Sequence, residues 1–134
     1  MKPPRSHDLM RILIVDDSEF NRRSMSEILT EEGFNIVGMA DSAGEAIKIA
    51  HSAKANLIFI DVVMPDISGL ELTKHFQEKH TGDRFLIMMS SLNIESIIIE
   101  SISNGAIDFL QKPFERDALI KAVEKIERLL RKEN

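Results

Sequence analysis

The 134-residue sequence predicts an α/β protein, a doubly wound parallel sheet of five strands alternating with five helices. Three observations carry that prediction. Short apolar runs alternate with helix-length amphipathic segments with little chain between them, which implies right-handed crossovers and helices on both faces. The runs are continuous rather than alternating, as in Ile12-Leu13-Ile14-Val15, and so read as strands covered on both sides. One run, LIFI at 57–60, ends abruptly on Asp61, with Pro65 and Gly69 following within eight positions, so a strand delivers a carboxylate to its own tip.

Met1 to Leu9, with Pro3-Pro4, reads as a flexible lead, and residues 10–134 as one domain. The first strand, Ile12 to Val15, ends on Asp16-Asp17. A helix follows with Phe20, Met25, Ile28 and Leu29 on one side, and Gly33 is placed to stop it. Phe34 to Ala40 is the second strand. Ser42 with Glu45 three residues later opens a helix to about Ala53 as a capping box. LIFI is the third strand, Leu70 to Lys79 a helix, and Phe85 to Met89 the fourth strand. Asn93 to Asn104 is a helix stopped by Gly105, Phe109-Leu110 lies in a short fifth strand, and Glu115 to about Lys132 is a last amphipathic helix.

Composition narrows the function classes. An apolar fraction of 43% and a charged fraction of 29% are ordinary for a globular domain, and the length suffices for one core but not two. No apolar run is long enough to cross a bilayer, and MKPPRSHDLM lacks the apolar segment of a secretory signal. The absence of cysteine removes disulfide and thiol chemistry and fits a cytoplasmic location. A net charge of −5 offers no basic stripe for direct nucleic-acid binding.

Ligands of open α/β sheets bind beyond the carboxyl ends of the strands, so the residues there are the informative ones. Strand one delivers Asp16-Asp17, strand three Asp61, strand four Ser90-Ser91, and Lys112 follows strand five. Each has a plain structural reading. Asp16, Asp17 or Ser18 could cap the first helix, Ser90 or Ser91 could cap the fourth, and Lys112 could be a solvated lysine. Together on one edge they point to chemistry. Adjacent carboxylates repel, and unless neutralised one takes up a proton. A hard divalent cation resolves the conflict, and Mg²⁺ suits a few carboxylates while leaving positions for phosphate oxygens. With Lys112 as a fixed positive charge and Ser90 as a donor to an oxyanion, the set describes phosphoryl transfer to a carboxylate nucleophile.

Asp16-Asp17, DVVMPDISG from Asp61, Ser90-Ser91 and Lys112-Pro113-Phe114 resemble, in order and spacing, the receiver domain of two-component response regulators, over about Met10 to Lys132. The resemblance implies a flavodoxin-like fold with strand order 2-1-3-4-5, and Asp61 as phosphoacceptor. It implies that Asp16, Asp17, Asp61 and the Val63 backbone carbonyl hold Mg²⁺, that Ser90 and Phe109 are the switch residues, that Lys112 contacts the phosphate, and that Lys112-Pro113 is a cis peptide. It implies a phosphoryl donor that is a histidine kinase or phosphotransfer protein, and catalysis confined to the domain's own phosphorylation and dephosphorylation. Three departures stand out: serine rather than threonine at 90, a phenylalanine without a hydroxyl at 109, and apolar Val63, whose side chain cannot orient an attacking water.

No effector domain is expected after the last helix, so output is expected through a protein target or a second copy. Ile94, Ile97, Ile98, Ile99 and Ile102 spread over roughly 200° of a helical wheel where a core stripe needs about 100°, which leaves apolar surface for a partner and singles out Ile98 on the face of helix 4, strand 5 and helix 5. A broadly buried fourth helix is the plain alternative. Two other functions fit less well. An aspartate-nucleophile phosphohydrolase would need an acid/base aspartate where this chain has Val63, and a constitutive, unphosphorylated interaction module would not need the acidic pair, Asp61 and Lys112.

Overall fold

The computed structural model describes residues 9–79, 84–92 and 94–133. The strands are β1 (Arg11–Val15), β2 (Asn35–Ala40), β3 (Leu57–Asp61), β4 (Phe85–Ser90) and β5 (Asp108–Gln111). The helices alternating with them are α1 (Glu19–Glu31), α2 (Ala43–Ser52), α3 (Gly69–Glu78), α4 (Glu95–Ser103) and α5 (Arg116–Glu133). The sheet order is β2-β1-β3-β4-β5 and every pairing is parallel. Of the lead expected over residues 1–9, all but Leu9 lies outside the described residues.

Strand periodicity sorts the core into two layers. Ile12, Ile14, Leu57, Phe59, Ile87 and Met89 point to one face, where Met25 and Leu29 of α1 and Leu119, Val123 and Ile126 of α5 cover them. Leu13, Val15, Ile58, Ile60, Leu86 and Met88 point to the other, beneath Ala43, Ala46 and Ala50 of α2 and Leu72 and Phe76 of α3. The central strands β1, β3 and β4 are therefore buried on both sides, as their unbroken apolar runs require.

Helix starts follow local polar chemistry. Ser18, Ser42 and Ser68 each turn a side-chain oxygen to the amide three residues on, at 3.2 Å, 3.3 Å and 3.2 Å, opening α1, α2 and α3. Gly33 and Gly105, at φ 91° and 111°, end α1 and α4 in the left-handed region that favours glycine. The helix α4 begins later than the sequence suggests. Its N-cap is Ile94, which makes no side-chain capping bond, and Asn93 lies outside the described residues.

The apolar surplus of α4 is oriented by two residues. Ile97 packs against the core, and Ser101 is fully buried with its hydroxyl donating to the Ile97 carbonyl at 2.7 Å. That phase turns Ile94, Ile99 and Ile102 outward, with Ile99 59% exposed. Ile98 is half-buried, so it lies at the border of the exposed patch rather than at its centre.

Candidate functional site

The sheet's carboxyl edge assembles the polar residues. Asp16 continues β1 by one further bond, its amide donating to Ala40 O at 3.1 Å, which carries its side chain into a fully buried position. Its Oδ1 accepts from Ser18 N at 2.9 Å, and the Arg22 guanidinium donates to its backbone carbonyl at 2.6 Å. Neither Asp16 nor Asp17 caps α1; Ser18 does, and Asp17 is exposed. Asp61 is the last residue of β3 and is 7% exposed, with Oδ1 near Val63 N at 3.4 Å. Ser90 ends β4, buried, its hydroxyl oxygen accepting from Leu92 N at 2.9 Å. Neither Ser90 nor Ser91 caps α4.

Lys112 is no solvated surface lysine. Its amide donates to Ser90 O at 2.8 Å, its peptide bond to Pro113 is cis, and its side chain is 16% exposed. The ammonium sits 2.5 Å from Asp16 Oδ2 and 3.2 Å from Asp61 Oδ2. Asp16, Asp17 and Asp61 each offer a carboxylate oxygen, all within 4.8 Å of one another. A set of hard oxygen donors at that spacing fits a hard divalent cation and not a thiophilic metal. Phe109 lies on β5, paired with Met88, half-buried against the layer that contains Ile97. Val63 is 57% exposed just beyond Asp61.

Two contributors carried no clear signal in the sequence. A Cβ on Gly69 would lie 2.0 Å from the Asp61 carbonyl oxygen, so the first residue of α3 presses directly on the backbone of the nucleophile candidate. Arg22 acts through a backbone carbonyl, a contact that no motif spacing announces.

The sequence profile of the response regulator receiver domain matches residues 12–124 of this chain. The chain belongs to that family. The chemotaxis protein CheY of Bacillus subtilis (strain 168) is 34% identical over 115 residues, covering 86% of this chain and 95% of that protein. A CheY-like receiver domain from Methanospirillum hungatei JF-1 superposes with a TM-score of 0.85 at 28% identity, covering 93% of this chain and 98% of that one. The CheX–CheY complex of Borrelia burgdorferi with BeF3 and Mg²⁺ matches with a TM-score of 0.81 at 29% identity, over 87% of this chain and 88% of that one. The receiver domain described here shares their fold, with the order 2-1-3-4-5.

Charge crowding sets the electrostatics of this receiver domain. Burial, and then the neighbouring Asp16 charge, push the Asp61 carboxyl up to about 6 from an ordinary 3.8, against the opposing charge and hydrogen bond of Lys112. For Lys112, burial pulls the ammonium down, but its bonds to Asp16 and Asp61 and their charges outweigh burial and raise it. The carboxyl that needs neutralising is therefore the one at the tip of β3. A raised carboxyl keeps its proton in the folded chain after the unfolded chain has lost it, so it contributes stability at low pH that is lost as pH rises. Without added metal, the unfolding free energy is expected to fall between about pH 4 and about pH 6 through this group, and Asp61→Asn is expected to flatten that slope. Urea unfolding across that range checks it, and an unchanged slope in the variant would assign the titration to another group.

Proposed function

We propose that this receiver domain is a phosphorylation switch in which Asp61 takes a phosphoryl group from a phosphohistidine of a histidine kinase or phosphotransfer protein. The observation that carries the reading is the convergence of three carboxylates within 4.8 Å, with Lys112 bridging two of them, at the one edge where an α/β sheet binds ligands. An Asp61 carboxylate oxygen attacks phosphorus, the P–N bond breaks with its electron pair going to the imidazole nitrogen, and that nitrogen takes a proton. The product is an acyl phosphate. Water attack on phosphorus later releases phosphate and restores the carboxylate.

Asp16, Asp17, Asp61 and the Val63 carbonyl are the residues that would hold Mg²⁺, which supplies charge neutralisation for the nucleophile and the transferred group when bound. Lys112 lies where a phosphoryl oxygen on Asp61 would meet its ammonium. The Ser90 hydroxyl oxygen accepts from Leu92 N, and its O–H can donate to another phosphoryl oxygen. The apolar Val63 side chain leaves hydrolysis without an orienting group at that position, which also weighs against a turnover phosphohydrolase. Mg²⁺ with a small phosphodonor is expected to add one phosphoryl group, at Asp61, by intact-mass and peptide analysis. Labelling that ignores Mg²⁺, or that lands elsewhere, would sink the reading.

Output runs to a downstream protein or a second copy in the cytoplasm, through the face of α4, β5 and α5. Ser90 moving toward the phosphate vacates space beneath α4, into which Phe109 can turn, and a difference of a few kcal/mol between the two arrangements is enough to shift populations. Charge and topology support neither direct nucleic-acid binding nor a membrane span, and no helix of the described residues is long and apolar enough to cross a bilayer. Ile98→Asp and Ile99→Asp are both expected to keep phosphorylation at Asp61 and to weaken phosphate-dependent association roughly tenfold, or ~1.4 kcal/mol. Half-buried Ile98 is expected to lose stability as well. Association unchanged in both variants would place the output face elsewhere.

A further inference from the structure

The loop from β3 to α3, residues 62–68, carries the Val63 carbonyl and is fixed near its two ends. Val62 N donates to Met89 O at 2.9 Å, and Gly69 N donates back to Val62 O at 2.7 Å. The outer turn is tied to the body of the domain by Asp66. Its two carboxylate oxygens accept from Ala43 N and Gly44 N, each at 3.0 Å. These are the first two amides of α2, and the third, Glu45 N, is taken by Ser42 Oγ. One carboxylate thus bridges two amides at the positive end of a helix in a different part of the chain, a charge-assisted contact. The Ala43 amide and then the Gly44 amide hold the Asp66 carboxyl below its ordinary value. A Cβ at Gly44 would stand at an ordinary 3.8 Å from Asp66 Oδ2, so the contact does not depend on glycine there. Asp66 itself is exposed and stands apart from the carboxylate cluster of Asp16, Asp17 and Asp61.

We propose that Asp66 is a positioning residue for the cation site: by latching the β3–α3 loop to the N-terminus of α2, it fixes the Val63 carbonyl toward the acidic pair. The inference rests on the reading of Asp16, Asp17, Asp61 and the Val63 carbonyl as the Mg²⁺ ligands. A backbone carbonyl on an exposed loop contributes to binding in proportion to how well it is held before the cation arrives. Partners that orient ligands from outside typically account for tenfold or more in affinity. The latch also explains why an exposed aspartate here points inward across the surface rather than into water.

Calorimetric titration of the full chain with Mg²⁺ tests the latch. Asp66→Ala is expected to bind Mg²⁺ roughly tenfold more weakly, and Asp66→Asn, which keeps one acceptor oxygen, to fall between it and the unaltered chain. Ser42→Ala is the control. It removes a capping bond from the same end of α2 without touching the loop, so it is expected to lower the melting temperature comparably and leave Mg²⁺ affinity unchanged. At saturating Mg²⁺, Asp66→Ala is expected to label from a small phosphodonor at the unaltered rate, because the latch acts on affinity. Equal Mg²⁺ affinity in Asp66→Ala and the unaltered chain, or an equal loss in Ser42→Ala, would overturn the latch alone. No Mg²⁺ binding by the unaltered chain would overturn the ligand reading and the latch with it.

Discussion

Asp61→Asn is expected to abolish phosphorylation entirely while leaving the fold intact. The amide has the shape of the carboxylate but not its nucleophilic charge, and it sits at the rim of the sheet rather than in either apolar layer. The substitution also removes one of two crowded carboxylates, leaving Lys112 paired with Asp16 at 2.5 Å, so stability at neutral pH is expected to hold or rise slightly. Two companions separate the roles. Asp17→Ala, at an exposed position, is expected to lose Mg²⁺-dependent labelling through the cation alone. Lys112→Ala is expected to keep Mg²⁺ binding and to lose the link between phosphate and output. It also strips the counter-charge from Asp16 and Asp61, so it is the least stable of the three. Intact-mass labelling beside calorimetric Mg²⁺ titration distinguishes them. An Asp61→Asn protein that labels as well as the unaltered chain would end the assignment.

The fold was legible in the sequence because its strands are covered on both faces. Ile12 to Val15 and Leu57 to Ile60 cannot be half-exposed strands, and residues buried alternately in two layers leave no polar position to break the run. The acidic rim was legible for the complementary reason. Where such a run ends on Asp16, Asp61 or Ser90, the change in chemistry marks the edge of the sheet, and the edge is where ligands bind. What stayed hidden depends on contacts between segments distant in sequence. Asp66 reaches back 22 and 23 residues to α2, Arg22 addresses a carbonyl, and Gly69 is defined by what a methyl group would strike. The phase of α4 was hidden for another reason. Its buried position 101 is a serine that satisfies itself on the Ile97 carbonyl, while Ile99 and Ile102 face outward. Hydrophobic periodicity finds a buried face only when apolar residues occupy it.

Gly69→Ala is expected to be damaging far beyond the single methyl group it adds. Alanine at the first position of a helix is ordinarily favourable, by up to about 1 kcal/mol over glycine. Here the added carbon would stand 2.0 Å from the Asp61 carbonyl oxygen, 2.8 Å from its carbon and 3.0 Å from Ile60 Cγ2. The first two are backbone atoms of a strand held by β1 and β4, so no side-chain rotation relieves the clash. Either α3 retreats by roughly 1 Å to restore contact distance, or the end of β3 moves. Retreat breaks the 2.7 Å bond from Gly69 N to Val62 O and loosens Leu72 and Phe76 from their layer; strand movement displaces Asp61. Overpacking against backbone is expected to cost about 3 kcal/mol net, and phosphorylation is expected to fall with it even under conditions where the chain is fully folded. Gly44→Ala provides the contrast, since its Cβ meets only Asp66 Oδ2 at an ordinary 3.8 Å, and it is expected to be neutral or stabilising by up to about 1 kcal/mol. Urea unfolding of the two variants, followed by labelling of the folded proteins, reads both effects. A Gly69→Ala chain as stable and as readily phosphorylated as Gly44→Ala would mean that α3 slides freely over the strand, and that the position of Asp61 is set without it.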